Sequence, residues 1–225
     1  CVEVKNMNDN LKLIDVPFTR VPVCLALDTS GSMAGEKIEE LNRGIEAFYN
    51  SVMSSEEARF SVDLSIVSFG KGGVNKILNF DMITNQVLPK LEADDLTPMG
   101  EGIREALNML ENRKTEYKTY GNQYYQPWLV IMTDGFPTDD YKGIAQEVSN
   151  RVLSKKLSVF PIAIGDADTN IIEEFSPKRR ALRLKGLNFV EFFEWLSQSV
   201  VSLSQSNSEQ EFRMNTDALS TWAEL

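Results

Sequence analysis

Two short apolar runs, Val23 to Leu27 and Trp128 to Thr133, each stop at an aspartate, Asp28 and Asp134. An unbroken apolar run of this length reads as a strand buried on both faces, because a half-exposed strand would alternate with polar residues. Between the runs the period becomes helical. Ile38, Leu41, Ile45 and Phe48 recur at that spacing within Glu36 to Met53, and Ile103, Leu107 and Leu110 do so after Gly100. Further strands are expected at Phe60 to Phe69, Val74 to Phe80, Ser158 to Ile164 and Ala181 to Leu184. Helices are expected at Tyr141 to Ser154 and Phe189 to Leu203. Gly70 to Gly73 is a turn, which makes Val74 to Phe80 an antiparallel edge strand. Strands alternating with helices predict an α/β fold with a mostly parallel sheet and helices on both faces.

The chain has 225 residues, 42% of them hydrophobic and 25% charged, enough for one large domain with its own core. Residues 1–205 are expected to form that domain and 206–225 a C-terminal tail. In the tail, Phe212, Leu219, Trp222 and Leu225 share one helical face, suited to docking on the domain or in a partner's groove. Histidine is absent, which removes Ser-His-Asp and Cys-His pairs and His-ligated metals. A net charge of −10 disfavours nucleic acid and anionic membrane as partners. No basic-then-apolar leader opens the chain, though it starts at Cys1 rather than Met. With only Cys1 and Cys24, and Cys24 inside a buried strand, a reducing, cytoplasmic setting is expected.

In open α/β sheets, ligands sit beyond the carboxyl ends of strands, where the strand order reverses. That directs attention to Asp28-Thr29-Ser30-Gly31-Ser32, to Thr97 in Leu96-Thr97-Pro98-Met99-Gly100, and to Thr133-Asp134-Gly135. If the two apolar strands are neighbours, two carboxylates (Asp28, Asp134) and three hydroxyls (Ser30, Ser32, Thr97) converge. Such a set suits a hard divalent cation in near-octahedral geometry, with Mg²⁺ first and Mn²⁺ or Ca²⁺ as alternatives. An aspartate after a strand also serves as an ordinary turn or cap residue. It is the combination with the Thr97 loop that is specific.

Asp28-x-Ser30-x-Ser32, Thr97 and Asp134 resemble the metal-ion-dependent adhesion site of von Willebrand factor A domains. The resemblance is closer to the bacterial stand-alone TerY type, named for tellurite resistance and including YegL-like proteins. Val21-Pro22-Val23, Thr97-Pro98-Met99-Gly100, Pro127-Trp128-Leu129, Thr133 to Asp140 and Phe189-x-x-Phe192-Phe193-x-Trp195-Leu196-Ser197 carry it. Asp95 and Leu96 stand where that family usually has two glycines. The resemblance implies a Rossmann-like, doubly wound sheet with one metal at its top and one coordination position left for a partner's Glu or Asp. It also implies a role in bacterial stress response beside Ser/Thr phosphatases or kinases.

A non-enzymatic interaction module is the leading expectation, with Met33, Met99 and Phe136 as apolar contacts around the metal or, alternatively, as core residues. A metal-dependent phosphohydrolase is the rival, but Ser30 stands where such enzymes carry a second acid, and no lysine or histidine acid–base is presented. A scaffold with a purely structural metal is the third reading. Four tyrosines in a polar loop from Thr115 to Pro127 are expected either to pack locally or to form a binding surface near the metal. Asp139 and Asp140 are expected to cap the following helix. Lys178, Arg179, Arg180, Arg183 and Lys185 are read as a solvated basic face.

Overall fold

The computed structural model describes residues 18–205 and 219–224. In chain order its elements are β1 (Val21–Thr29), α1 (Glu36–Ser54), α2 (Ala58–Ser61), β2 (Val62–Gly70), β3 (Gly73–Met82), α3 (Met99–Tyr120), β4 (Trp128–Thr133) and α4 (Lys142–Leu153). They continue with β5 (Ser158–Ala163), α5 (Thr169–Glu173), β6 (Leu182–Leu184), α6 (Phe189–Ser204), α7 (Leu219–Trp222) and β7 (Ala223–Glu224). The sheet order is β3-β2-β1-β4-β5-β6-β7. Every pairing from β2 to β6 is parallel, while β3 and β7 are antiparallel.

β1 is buried along its whole length, and its side chains divide by parity. Val21, Val23, Leu25 and Leu27 enter the core under α1 and α6, while Cys24 and Ala26 enter the core under α3 and α4. β4 repeats the division, with Trp128, Val130 and Met132 on the first face and Leu129 and Ile131 on the second. The helices answer with matching stripes: Ile38, Leu41, Ile45, Phe48 and Val52 on α1, and Met99, Ile103, Ala106 and Leu110 on α3. α1 and α6 approach so closely that a Cβ on Gly44 would stand 2.5 Å from the Phe193 ring and 3.1 Å from the Phe189 carbonyl oxygen. Glycine is the residue that permits this crossing.

The far end of the sheet is held by charge. Asp63, fully buried at the start of β2, accepts from Arg113 Nε and Nη2 at 3.0 and 2.9 Å, from Arg20, and from the Tyr117 hydroxyl. Burial first, and the Asp63 charge second, push the Tyr117 phenol well above its usual range. Of the two expectations for the tyrosines, this network bears out local packing for Tyr117, and it corrects the loop. Residues 115–120 continue α3, whose 22 residues extend about 33 Å. Tyr117 is therefore carried to the opposite end of the molecule and packed there.

The tail brings a second correction. Trp222 is buried against Phe192 and Trp195, with ring centroids 5.7 and 5.5 Å away. Ala223 and Glu224 then pair with Leu184 and Arg183, adding an antiparallel strand at the edge expected to end in a parallel one. Leu219 also packs on the domain, whereas Phe212, Leu225 and Cys1 lie outside the described residues. The basic stretch is solvated at Lys178, Arg180 and Lys185, which are exposed, while Arg179 and Arg183 are half-buried and structural. Lys178 Nζ donates to the Val152 carbonyl at 3.2 Å, Arg179 stacks over Phe160, and Arg183 binds the carbonyls of Gly165 and Ala167.

Two outcomes follow from this packing. Asp63→Ala leaves the buried Arg20 guanidinium without its counter-charge and Arg113 with only the exposed Glu116 carboxylate, so urea unfolding should show a loss of roughly 3–5 kcal/mol. Cys24 is buried, and burial pushes its thiol up to about 12. A thiol reagent at pH 8 should leave Cys24 unmodified in the native protein and label it on unfolding.

Candidate metal centre

Strand order reverses between β1 and β4: the chain builds outward through β2 and β3 on one side, then through β5 and β6 on the other. Asp28 lies near the end of β1 and Asp134 directly after β4, so both open onto the crevice between these paired strands. The five predicted oxygen-bearing residues come from three loops that meet there.

Asp28 is fully buried, and each of its oxygens is engaged. Oδ1 accepts from the Ser30 amide at 2.8 Å, and Oδ2 accepts from the Thr133 hydroxyl. Ser30 Oγ and Ser32 Oγ are 3.0 Å apart, and Ser32 Oγ donates to Asp134 Oδ1 at 2.6 Å. Thr97 joins them from the loop before α3. A Cβ on Gly135 would stand 3.5 Å from Thr97 Oγ1, 3.7 Å from Ser32 Oγ and 3.9 Å from Asp28 Oδ2. Oxygens from all three loops therefore surround one small space that glycine leaves open. Ser30 and Thr97 form its buried side, while Ser32 is exposed and marks its open side.

Main-chain bonds hold the loops together. The Gly31 amide donates to the Asp95 carbonyl at 3.0 Å, Asp94 to that of Thr29 at 2.9 Å, and Thr138 to that of Thr97 at 2.9 Å. Asp95 adopts φ +72°, the left-handed conformation a glycine would take most easily. The chain thus follows the turn with an aspartate where the family resemblance leads one to expect glycine.

Three contributors lie outside the set that the sequence singles out. Thr133 fixes Asp28, and its signal is a hydroxyl at the last position of an apolar strand. Lys37 Nζ pairs with Asp134 Oδ2 and donates to the Ser32 carbonyl at 3.1 Å. Asp139, expected to cap the helix after it, instead accepts from the Gly100 and Glu101 amides, at 3.0 and 2.7 Å, and caps α3 across the crevice. Asp140 alone caps α4, through the Lys142 amide at 3.1 Å. A Cβ on Gly100 would stand 2.8 Å from the Asp140 carbonyl oxygen, so this clasp also requires glycine.

The expected apolar contacts divide. Met33 and Met99 are fully buried, one in each core, and do not reach a partner. Phe136 is 63% exposed, and Leu96 from the neighbouring loop is 64% exposed. The apolar rim of the crevice is therefore Phe136 and Leu96.

A family model of the von Willebrand factor type A domain matches residues 23–192. The chain belongs to the von Willebrand factor type A family. Among solved structures with this fold, the pilus adhesin SpaC of Lactobacillus rhamnosus GG superposes with TM-score 0.61 at 15% identity, over 82% of this chain and 30% of SpaC. Proximal thread matrix protein 1 of the mussel byssus, with a zinc-occupied MIDAS motif, gives 0.53 at 15% identity, over 81% of this chain and 48% of that one. Manganese-loaded TRAP protein of Plasmodium vivax gives 0.51 at 19% identity, over 78% and 73%. At these identities the likeness concerns the fold. A search of curated proteins found no match.

Among the described residues, no three acidic or thiol side chains gather as a carboxylate or thiolate cage. A cation at this von Willebrand factor A crevice would have to be held by the mixed set of two carboxylates and hydroxyls. The donors suit a hard cation, since all are oxygens and Thr97, Ser32 and Asp28 flank one space beside Gly135.

Burial raises the Asp28 carboxyl above its ordinary range, the Ser30 and Thr133 bonds pull it back, and Asp134 adds repulsion. A folded-state value above the unfolded one means that ionised Asp28 costs stability at neutral pH, a cost that disappears as pH falls through the raised value. Metal binding needs the ionised form, so affinity falls over the same interval. Asp28→Asn should therefore raise the melting temperature of the EDTA-treated protein while abolishing Mn²⁺ binding in calorimetry. A melting temperature that drops, or retained binding, contradicts this assignment.

Proposed function

We propose that this von Willebrand factor A domain is a metal-dependent protein-interaction module that takes up a carboxylate from a protein partner. The observation supporting this reading is the enclosed space at Gly135, flanked by Thr97, Ser32 and Asp28 and open on the Ser32 side. Asp28, Ser30, Ser32, Thr97 and Asp134 would hold the cation, with Mg²⁺ as the expected resident. A bound divalent cation supplies an electrophilic position for a Glu or Asp side chain. Thr133 keeps Asp28 oriented toward that space, and the Asp139 clasp keeps Thr97 beside the Asp134 loop. Phe136 and Leu96 offer apolar contact on either side, so a partner carboxylate flanked by apolar residues fits best.

The similarity to TerY-type sequences supports a bacterial, cytoplasmic stress-response setting with a Ser/Thr phosphatase or kinase as partner. No described helix is long and apolar enough to cross a membrane. No hydrolytic role is favoured, since Asp28 is buried with both oxygens engaged and Ser30 occupies the place of a second acid.

Two variants test the reading. Ser32→Ala removes a donor hydroxyl at the open side, and Lys156→Glu reverses an exposed charge at the opposite end of the sheet. In pull-downs with Mg²⁺, partner recovery should fall at least tenfold for the first and stay unchanged for the second, and EDTA should abolish it for the wild type. Equal recovery in EDTA would move the function away from this crevice.

A further inference from the structure

Lys37 is the second residue of α1, in the helix's first turn, which also carries Glu36 and Glu39. A cation is disfavoured there, because the amide dipoles of a helix present positive charge at its N-terminus. Helix stability therefore does not account for Lys37. Its contacts do. Nζ pairs with Asp134 Oδ2 and donates to the Ser32 carbonyl. The Asp134 side chain is 1% exposed and that of Lys37 34%, so the ammonium covers a buried carboxylate from the solvent side.

Asp134 is thus forked. Oδ1 faces the Ser32 hydroxyl at the crevice, and Oδ2 faces Lys37 behind it. The three atoms nearest the space at Gly135 belong to Thr97, Ser32 and Asp28, whereas Lys37 sits on the other oxygen of Asp134. The charges then decide what Lys37 does. Asp28, Asp134 and Lys37 together carry a net single negative charge. A divalent cation would turn that into a net single positive charge. Without Lys37 the same set would be neutral.

We propose that Lys37 is the specificity-determining cation of this centre: it weakens metal binding and strengthens capture of the partner's carboxylate. The inference rests on the metal-dependent reading above and deepens it. Like-charge repulsion between the ammonium and the metal lowers metal affinity. The surplus positive charge, in a crevice partly shielded from water, draws an anion to the loaded site. One side chain therefore moves the two affinities in opposite directions, which a merely structural lysine would not do.

The test compares wild type with K37Q, which keeps a hydrogen-bonding head without charge, and K37R, which keeps the charge. Calorimetry reads Mn²⁺ affinity. Water-proton relaxation of the Mn²⁺-loaded protein, titrated with acetate, reads carboxylate capture as acetate displaces metal-bound water. Circular dichroism confirms that each variant is folded. For K37Q, Mn²⁺ should bind roughly three- to tenfold more tightly, and the half-saturating acetate concentration should rise by a similar factor, as expected for removing one partly exposed charge. K37R should stay near wild type in both. If K37Q binds Mn²⁺ equally or more weakly, or leaves acetate unchanged, the role of Lys37 is overturned while the metal centre stands. If the wild type itself binds no Mn²⁺, both readings fall.

Discussion

The parallel pairing of β1 with β4 is the constraint on which the rest of this molecule depends. It is a long-range contact, joining Val23–Leu27 to Trp128–Met132 in register. It brings two strand ends side by side from distant parts of the chain, and the crevice exists only because they end together. The burial of both strands on both faces makes this pairing robust. Each residue removed from water on β1 is covered by α1 and α6 or by α3 and α4, so a slip of one residue would exchange Leu25 with Cys24 or Ala26 across the sheet. Cys24 and Ala26 are small, Leu25 and Leu27 large, and the two cores are not interchangeable.

The crevice is costly to the fold on its own terms. Asp28 is an ionisable group buried without a counter-cation in contact among the described residues, and Asp134 adds a second negative charge nearby. Asp95 takes a left-handed backbone conformation, and two glycines (Gly70 and Gly100) are needed for close approach around the loops. A Cβ on Gly70, for instance, would stand 2.1 Å from the Thr29 carbonyl carbon. These features contribute nothing to packing and concentrate in one place. That is the pattern expected of a site retained for binding, with its cost offset by the two cores and by the Asp63 network at the far end.

Much of this is legible in residue patterns. Short apolar runs, helical spacing and the aspartates that end the runs carry the fold class and draw together all five oxygen-bearing residues. What the patterns miss has physical reasons. The polarity of Thr115 to Tyr120 suggests a loop, yet one face of that last stretch of α3 is anchored to Asp63, 54 positions before Tyr117. No local pattern encodes such a contact. Nearness to polar ligands suggests a surface position for Met33 and Met99. However, a residue one or two positions away from a ligand on a turn or helix points elsewhere, here into the cores. Capping is usually local, which is why Asp139 reads as a cap of the helix that follows it. Its partners are instead the amides of α3, exposed to it by the same loop contact that brings Thr97 to Thr138. Trp222 is visibly apolar and periodic in the sequence. The edge of the sheet that receives its segment is not readable from the tail itself.

The division of labour between main chain and side chains explains how such a site tolerates variation. The three loops are stitched by amide-to-carbonyl bonds from Gly31 to Asp95, from Asp94 to Thr29 and from Thr138 to Thr97, and Ile164 ties the end of β4 to β5 through Thr133. These bonds require a backbone path, not a residue type, apart from the few glycines and one left-handed position. Apart from Asp28, whose Oδ1 accepts the Ser30 amide, the oxygen-bearing side chains are therefore presented by a frame that does not depend on them. Replacing a hydroxyl at Ser32 or Thr97 changes the donor set without loosening the frame. Replacing Gly100 or Asp139 loosens the frame without changing the donor set. The paired aspartate and leucine before Thr97 illustrate the same logic. They depart from the glycines the resemblance leads one to expect, yet the Asp95 carbonyl still receives the Gly31 amide, and Leu96 adds an apolar surface beside the crevice that a glycine would not have offered. Divergence in these loops can thus alter what the site recognises while the arrangement of oxygens stays the same.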